Sequence, residues 1–169
     1  MLCLEIIGVG FMIEFREPSW GIGYVVLSQI FIAFGGGALV ICEEMAVMAA
    51  APHQGVAAML ALIGLFSSIG GAIGQAVSGA IYTNTFPGAL DRALPGNTTL
   101  NAELYGSLMN QLAYPSGSPV RTAVIEAYAH TQRLLTITGT VFLVPCFIFI
   151  AMWRDFKVKD LRQVNGIVA

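Results

Sequence analysis

Hydrophobic residues in this chain come in long unbroken runs, with polar residues gathered between them. Residues 1–15, 22–42, 55–83 and 132–153 are almost wholly apolar. The second run has 21 residues, about 31 Å as a helix, and the third has 29, about 43 Å. A hydrocarbon layer is about 30 Å thick, so the third run must tilt or protrude. The fourth is free of charge from Leu134 to Trp153 and is interrupted by Pro145. Membrane helices tolerate such a proline because neighbouring helices satisfy the freed backbone groups. The first run lacks a basic flank and a small-residue cleavage pattern, and it carries Glu5. It therefore reads as a truncated or short membrane helix and not as a signal peptide. The expected fold is an all-α polytopic membrane helix bundle with four spans.

The connections differ in kind. "AAAPHQG" joins the second and third runs tightly, with Pro52 and Gly55 as breakers. Residues 85–131 are amphipathic and hold four of the seven prolines. There Leu104, Leu108 and Leu112 recur every fourth residue behind Asn101, which predicts one short helix capped by that asparagine. Ser118 followed by Pro119 predicts a second start, from which a helix runs unbroken into the last span.

Small residues crowd the third run. Gly70, Gly74 and Ser78 fall four apart, while Leu65, Ile69, Ile73, Val77 and Ile81 form a separate bulky row. Membrane helices gain little from burying leucine against one another, so small faces that allow close approach hold them together. The spacing predicts a compact bundle. It suits static packing and sliding helices equally.

Composition sharpens the class. Hydrophobic residues make up 56% and charged ones 11%, against about 25% charged in a soluble domain. Between Pro18 and Thr83 the only formal charges are Glu43 and Glu44. The formal net charge is −2, and no basic patch with interleaved aromatics points to nucleic acid. Cys3, Cys42 and Cys146 lie in apolar runs without a C-x-x-C pair, which predicts buried free thiols. Neither a metal-ligand spacing nor a nucleophile, phosphate or dinucleotide motif is present, so no enzyme and no cofactor is expected.

Orientation follows from charge. Residues 154–169 carry Arg154, Lys157, Lys159 and Arg162 against Asp155 and Asp160, and positive charge beside a span marks the cytoplasmic side. The 85–131 loop then faces outside or a lumen, where Asn97-Thr98-Thr99 forms a glycosylation acceptor.

Two uses fit each polar candidate. Glu43 and Glu44 either serve a proton-linked or cavity role or sit solvated among headgroups. Gln75, alone in its span, bonds to a neighbouring helix or lines a substrate path. His53 either titrates near neutral pH or caps a helix start. Phe86, Tyr105, Tyr114 and Tyr128 stack on a ligand or pack the loop onto the bundle.

The stretch from "FREPSWGIGYVVLSQIFIAFGGGALVICEEMAVMAAAPHQG" through "FSSIGGAIGQAVSGAIYTNTFPGAL" resembles the fungal siderophore–iron transporters of the major facilitator superfamily. So do "YGSLMNQLAYPSGSPVRTAVIEAYAHTQRLL" and "WRDFKVKDLRQVNG". That resemblance implies fourteen helices with both ends cytoplasmic, of which this chain supplies the last four and the extended final outer loop. It also implies import of ferric siderophores with protons, in a plasma or endosomal/vesicular membrane. The expected partners are the ferric siderophore, protons, membrane lipid and the N-terminal helices of the parent protein. On this resemblance the second and third spans line the central cavity, with Glu43 and Gln75 facing it. Glu44, Pro52 and Gly55 depart from the family's usual residues in that region. As a C-terminal fragment the chain alone should be inactive. Two alternatives are a fragment of a fourteen-helix drug/proton antiporter and a free-standing four-span scaffold or regulatory protein.

Overall fold

The computed structural model describes residues 1–153, so the basic tail and the orientation argued from it lie outside the described residues. Six α-helices and one 3-10 turn follow in order: α1 (Leu2–Phe15), α2 (Ile22–Ala50), the turn His53–Gly55, α3 (Val56–Ala93), α4 (Thr98–Gly106), α5 (Leu108–Leu112) and α6 (Pro119–Ala151). Helices α2, α3 and α6 are long and apolar enough to cross a membrane. With 14 residues, α1 reaches about 21 Å, short of the roughly 30 Å layer.

Two helices outrun their apolar segments. Helix α2 continues past Glu43 and Glu44 to Ala50. Helix α3 continues ten residues beyond Thr83, through Phe86 and Pro87, to Ala93. The Phe-Pro-Gly stretch expected to open a loop is therefore helical. Proline removes the N–H that would have bonded to the Thr83 carbonyl. Tertiary burial outweighs that loss, because Phe86, Ala89 and Leu90, which flank the proline, are all buried.

Helix α6 begins as its sequence predicts. Pro119 is its first residue, and the Ser118 Oγ accepts a hydrogen bond from the Arg121 N–H at 3.2 Å. The leucine row does not form one helix. The chain breaks at Ser107, which is extended (φ −144°, ψ 114°) and whose Oγ accepts from the Asn110 N–H at 3.4 Å. Asn101 caps nothing. It lies inside α4, buried, and its amide donates to Asp91 Oδ1 at 2.7 Å and to the Leu94 carbonyl at 3.2 Å. Gly106 and Ser107, a poor helix former and then a good cap, divide the row. Leu104 is fully buried as a result, whereas Leu108 and Leu112 are exposed.

The main buried cluster lies beyond the apolar runs, apart from the smaller buried set of Leu2, Met12 and Ser28 on α1 and α2. Phe86, Ala89 and Leu90 of α3, Leu104 of α4, and Val124 and Ala127 of α6 form one cluster where α4 and α5 fold over the end of α3 and the start of α6. We call this region the cap. Away from it, the apolar windows of α3 and α6 bury none of their residues within the chain. Bulky side chains such as Phe66, Ile73, Phe142 and Ile148 stand exposed. An apolar surface of this extent suits lipid or further helices, not water.

Close glycine packing occurs between α1 and α2 and not on α3. A Cβ on Gly8 would lie 2.8 Å from Ile32 Cγ1, and one on Gly35 would lie 2.7 Å from the Glu5 backbone nitrogen. Aromatic contacts continue this antiparallel pairing towards the cap: Phe11 with Phe31, and Phe15 with Trp20 and Tyr24, at centroid distances of 6.2, 5.2 and 5.1 Å. On α3, by contrast, nothing lies within 4 Å of a Cβ built on Gly64, Gly70, Gly71, Gly74 or Gly79. The small face expected to seal the bundle is left unfilled by this chain. The thiols are unpaired as expected but not buried, since Cys3 and Cys42 are exposed and Cys146 is half-buried.

Candidate functional site

Glu43 and Glu44 lie together on a groove between α2 and α3, at the end opposite the cap. Its volume is ≈ 610 Å³, and Val40, Met48, Leu60 and Ser67 also line it. Both side chains are exposed, and neither takes part in an ion pair among the described residues. The α2 sequence produces this arrangement by continuing helically through "EEMAVMAA", which carries both carboxylates on the same helix as the apolar span.

Gln75 does not join them. It is exposed on α3, eight residues beyond Ser67, or about 12 Å along the axis. Its backbone carbonyl accepts from Ser78 Oγ at 3.1 Å. Near it, Gly70, Gly74 and Ser78 face Leu135, Thr138, Gly139 and Phe142 of α6 across an apolar groove of ≈ 410 Å³.

The cap brings all four aromatic candidates together. Phe86 stacks on Tyr82 at 5.1 Å and meets Tyr128 at 4.5 Å and Tyr105 at 6.2 Å. The Tyr82 and Tyr128 hydroxyls hydrogen-bond at 3.3 Å. Tyr114 packs against the same cluster, half-buried. Phe86 is 0% exposed, so in this arrangement its ring offers no surface to a ligand, whereas Tyr105 is 38% exposed. Tyr82 was missed in the sequence, although its spacing of four from Phe86 on a helix was the available signal.

Tyr128 also borders a groove of ≈ 490 Å³ at the cap, lined by Arg16, Gln111, Arg121 and Gln132. The Arg121 guanidinium donates to the Gln111 carbonyl at 2.9 Å, and the Gln111 amide donates to the Leu104 carbonyl at 2.6 Å. These bonds tie α4 and α5 to α6. Nearby, Arg133 and Glu17 form an exposed ion pair at 3.4 Å. Asn97 is exposed in the turn before α4, and its side chain makes no capping bond. His53 lies in the 3-10 turn between α2 and α3.

The groove with two acidic side chains, the long apolar helix faces and the cap suit part of a membrane protein. Comparison with known proteins agrees. The chain is 51% identical over 166 residues to MFS siderochrome iron transporter 1 of Ajellomyces capsulatus, covering 98% of this chain and 28% of that protein. It is 52% identical over 169 residues to siderochrome iron transporter 2 of Aspergillus fumigatus, covering 99% of this chain and 28% of that protein. It is 44% identical to siderophore iron transporter mirB of Emericella nidulans, again over 98% and 28%.

In sequence, the chain is similar to the fungal siderochrome iron transporters of the major facilitator superfamily.

It spans a little over a quarter of the length of these relatives, and what it matches is their C-terminal portion. No family profile matches the chain, and no solved structure matches it. Three apolar helices of spanning length and relatives that are transporters place it in an integral membrane protein.

Proposed function

We propose that the protein containing this chain imports ferric siderophores by alternating access, with protons moving in the same direction. The observation that carries this reading is identity of 44 to 52% across nearly the whole chain to proteins named as siderochrome or siderophore iron transporters. In this reading α2 and α3 line part of the passage. Helix bundles in such transporters rock against one another around a site near the bilayer midplane. The α3 face carrying Gly70 and Gly74, open in this chain, supports that role because it leaves room for a partner helix. Glu43 and Glu44 are the proposed proton-linked groups at the end of the passage opposite the cap, and Gln75 is a proposed passage residue. The exposed part of Tyr105 and the half-buried Tyr114 and Tyr128 supply aromatic surface for a bulky chelate at the cap. Iron travels inside its chelator, so the protein needs no metal ligands of its own. The tail is assigned to the cytoplasm and the cap to the far side.

The full-length protein, expressed in yeast cells lacking their own siderophore carriers, should take up radioiron presented as a trihydroxamate chelate. Residues 1–169 alone should take up none, because the opposing helices are missing. Uptake by the isolated segment would refute the division of labour proposed here. Efflux of lipophilic cations without chelate uptake by the full-length protein would refute the import reading itself.

A further inference from the structure

Glu5 is the one carboxylate on α1 that lies away from the cap, and its surroundings are unusual. The missing side chain at Gly35 lets the α1 backbone come so close that a Cβ there would lie 3.0 Å from both Cα and Cβ of Glu5. This contact lays the Glu5 carboxyl along the bare backbone of α2, with Oε1 3.4 Å from the place a Gly36 Cβ would take. Gly36 falls 14 residues after Ile22 and seven before Glu43. The carboxyl is thus about 21 Å from one end of the charge-free part of α2 and about 10 Å from the other, which is hydrocarbon depth on both sides. Glu5 is half-buried and has no ion pair among the described residues.

Among the described residues, no lysine, arginine or histidine side chain pairs with it from the elements packed around it. On α1 and the residue before it, the other titratable groups are the Met1 α-amino group, Cys3 and Glu14. On α2 they are Tyr24, Cys42, Glu43 and Glu44, and on the α6 stretch from Leu134 to Ala151 only Cys146. Arg16 follows α1 at the cap end, and Arg133 of α6 is paired with Glu17. A carboxyl group at this depth with no basic side chain beside it is by default a candidate for function.

We propose that Glu5 is a proton-exchange site of the transport cycle, taking a proton from water on one side and returning it on the other while seated against Gly35 and Gly36. The proposal rests on the proton-coupled reading above. On proton uptake the carboxylate oxygen forms an O–H bond with a proton from external water, and on release that bond breaks to internal water. No other reactant is needed.

Two measurements on the full-length protein test this. Dicyclohexylcarbodiimide reacts with protonated carboxyl groups in apolar surroundings, and peptide mass spectrometry locates the adduct. In lipid nanodiscs Glu5 should be labelled, with labelling falling as pH rises, and Glu5→Gln should remove that adduct alone. Absence of a Glu5 adduct at every pH, or labelling indifferent to pH, overturns the proposal. In cells, uptake of the radioiron trihydroxamate chelate by Glu5→Gln should lose its dependence on external pH while chelate binding is retained, and Glu5→Asp should restore part of that dependence. A Glu5→Gln variant with the wild-type pH profile overturns the inference and leaves proton coupling standing. A wild-type protein whose uptake ignores external pH overturns the coupling itself, and the inference with it.

Discussion

Glycines only one or two positions apart have opposite meanings in this chain. At Gly35 a methyl group would meet the backbone of Glu5 at 2.7 Å, and backbone cannot swing aside as a long side chain can. At Gly37 nothing lies within 4 Å. Gly35→Ala should therefore push α1 off α2 and destabilise the detergent-solubilised chain by about 1–3 kcal/mol, the usual effect of overpacking. Gly37→Ala should be neutral or stabilise by up to about 1 kcal/mol through helix propensity. Thermal denaturation of the two variants side by side checks this, and equal effects would refute the tight crossing. The sequence shows "FGGGAL" as a small-residue stretch but not which glycine is indispensable, because that depends on the angle at which α1 crosses. In the sequence Glu5 serves only as an argument against a signal peptide, for the same reason. Its importance lies in what it faces, and its neighbours in sequence are silent about that.

The helices divide by how local their signals are. Ser118 and Pro119 fix the start of α6 with two adjacent residues, and that start was legible. The end of α3 was not, since Phe-Pro-Gly is a breaker by local preference and is helical only because Phe86 and Leu90 are buried by α4 and α6. The period-four leucine row misled for a related reason: Gly106-Ser107 interrupts it, and only Leu104 enters the core. Leu104→Ala should accordingly cost about 2–5 kcal/mol, as buried leucine truncations do. Leu108→Ala, on an exposed position, should stay within about 0.5 kcal/mol. Denaturation of the cap, followed by the fluorescence of its clustered tyrosines, separates the two. Comparable losses would mean that one continuous leucine face packs after all. The four candidate aromatics gather in one region of the fold, and their positions relative to one another come only from its packing. The sequence could not reveal that Phe86 sits at the centre of the cluster while Tyr105 stands at its edge.

The molecule as a whole joins two surfaces built on different physics. Its cap buries a conventional core and closes it with side-chain hydrogen bonds such as Asn101 to Asp91 and Arg121 to Gln111. Its long helices leave their apolar windows open. The sequence conveys this division clearly, because charge-free runs and a proline-rich amphipathic segment differ in composition before any packing is considered. Which end of the bundle faces the cytoplasm is a separate matter, and Asn97 provides the test. Its side chain is exposed, makes no capping bond and begins an Asn-Thr-Thr acceptor at the turn into α4. Helix α3 runs ten residues past Thr83, which lifts this turn about 15 Å beyond the apolar run, clear of the headgroups. Oligosaccharide is attached only on the translocated side, so a cap facing outside or a lumen should carry a glycan at Asn97. Endoglycosidase treatment of the full-length protein from fungal membranes should then increase its gel mobility. Both Asn97→Gln and Thr99→Ala should migrate like the treated protein, with uptake of the iron chelate preserved. A mobility unaffected by either substitution or by the enzyme would instead favour a cap on the cytoplasmic side. It would also reverse the direction assigned to the groove at Glu43 and Glu44, because that groove lies at the opposite end of the same helices.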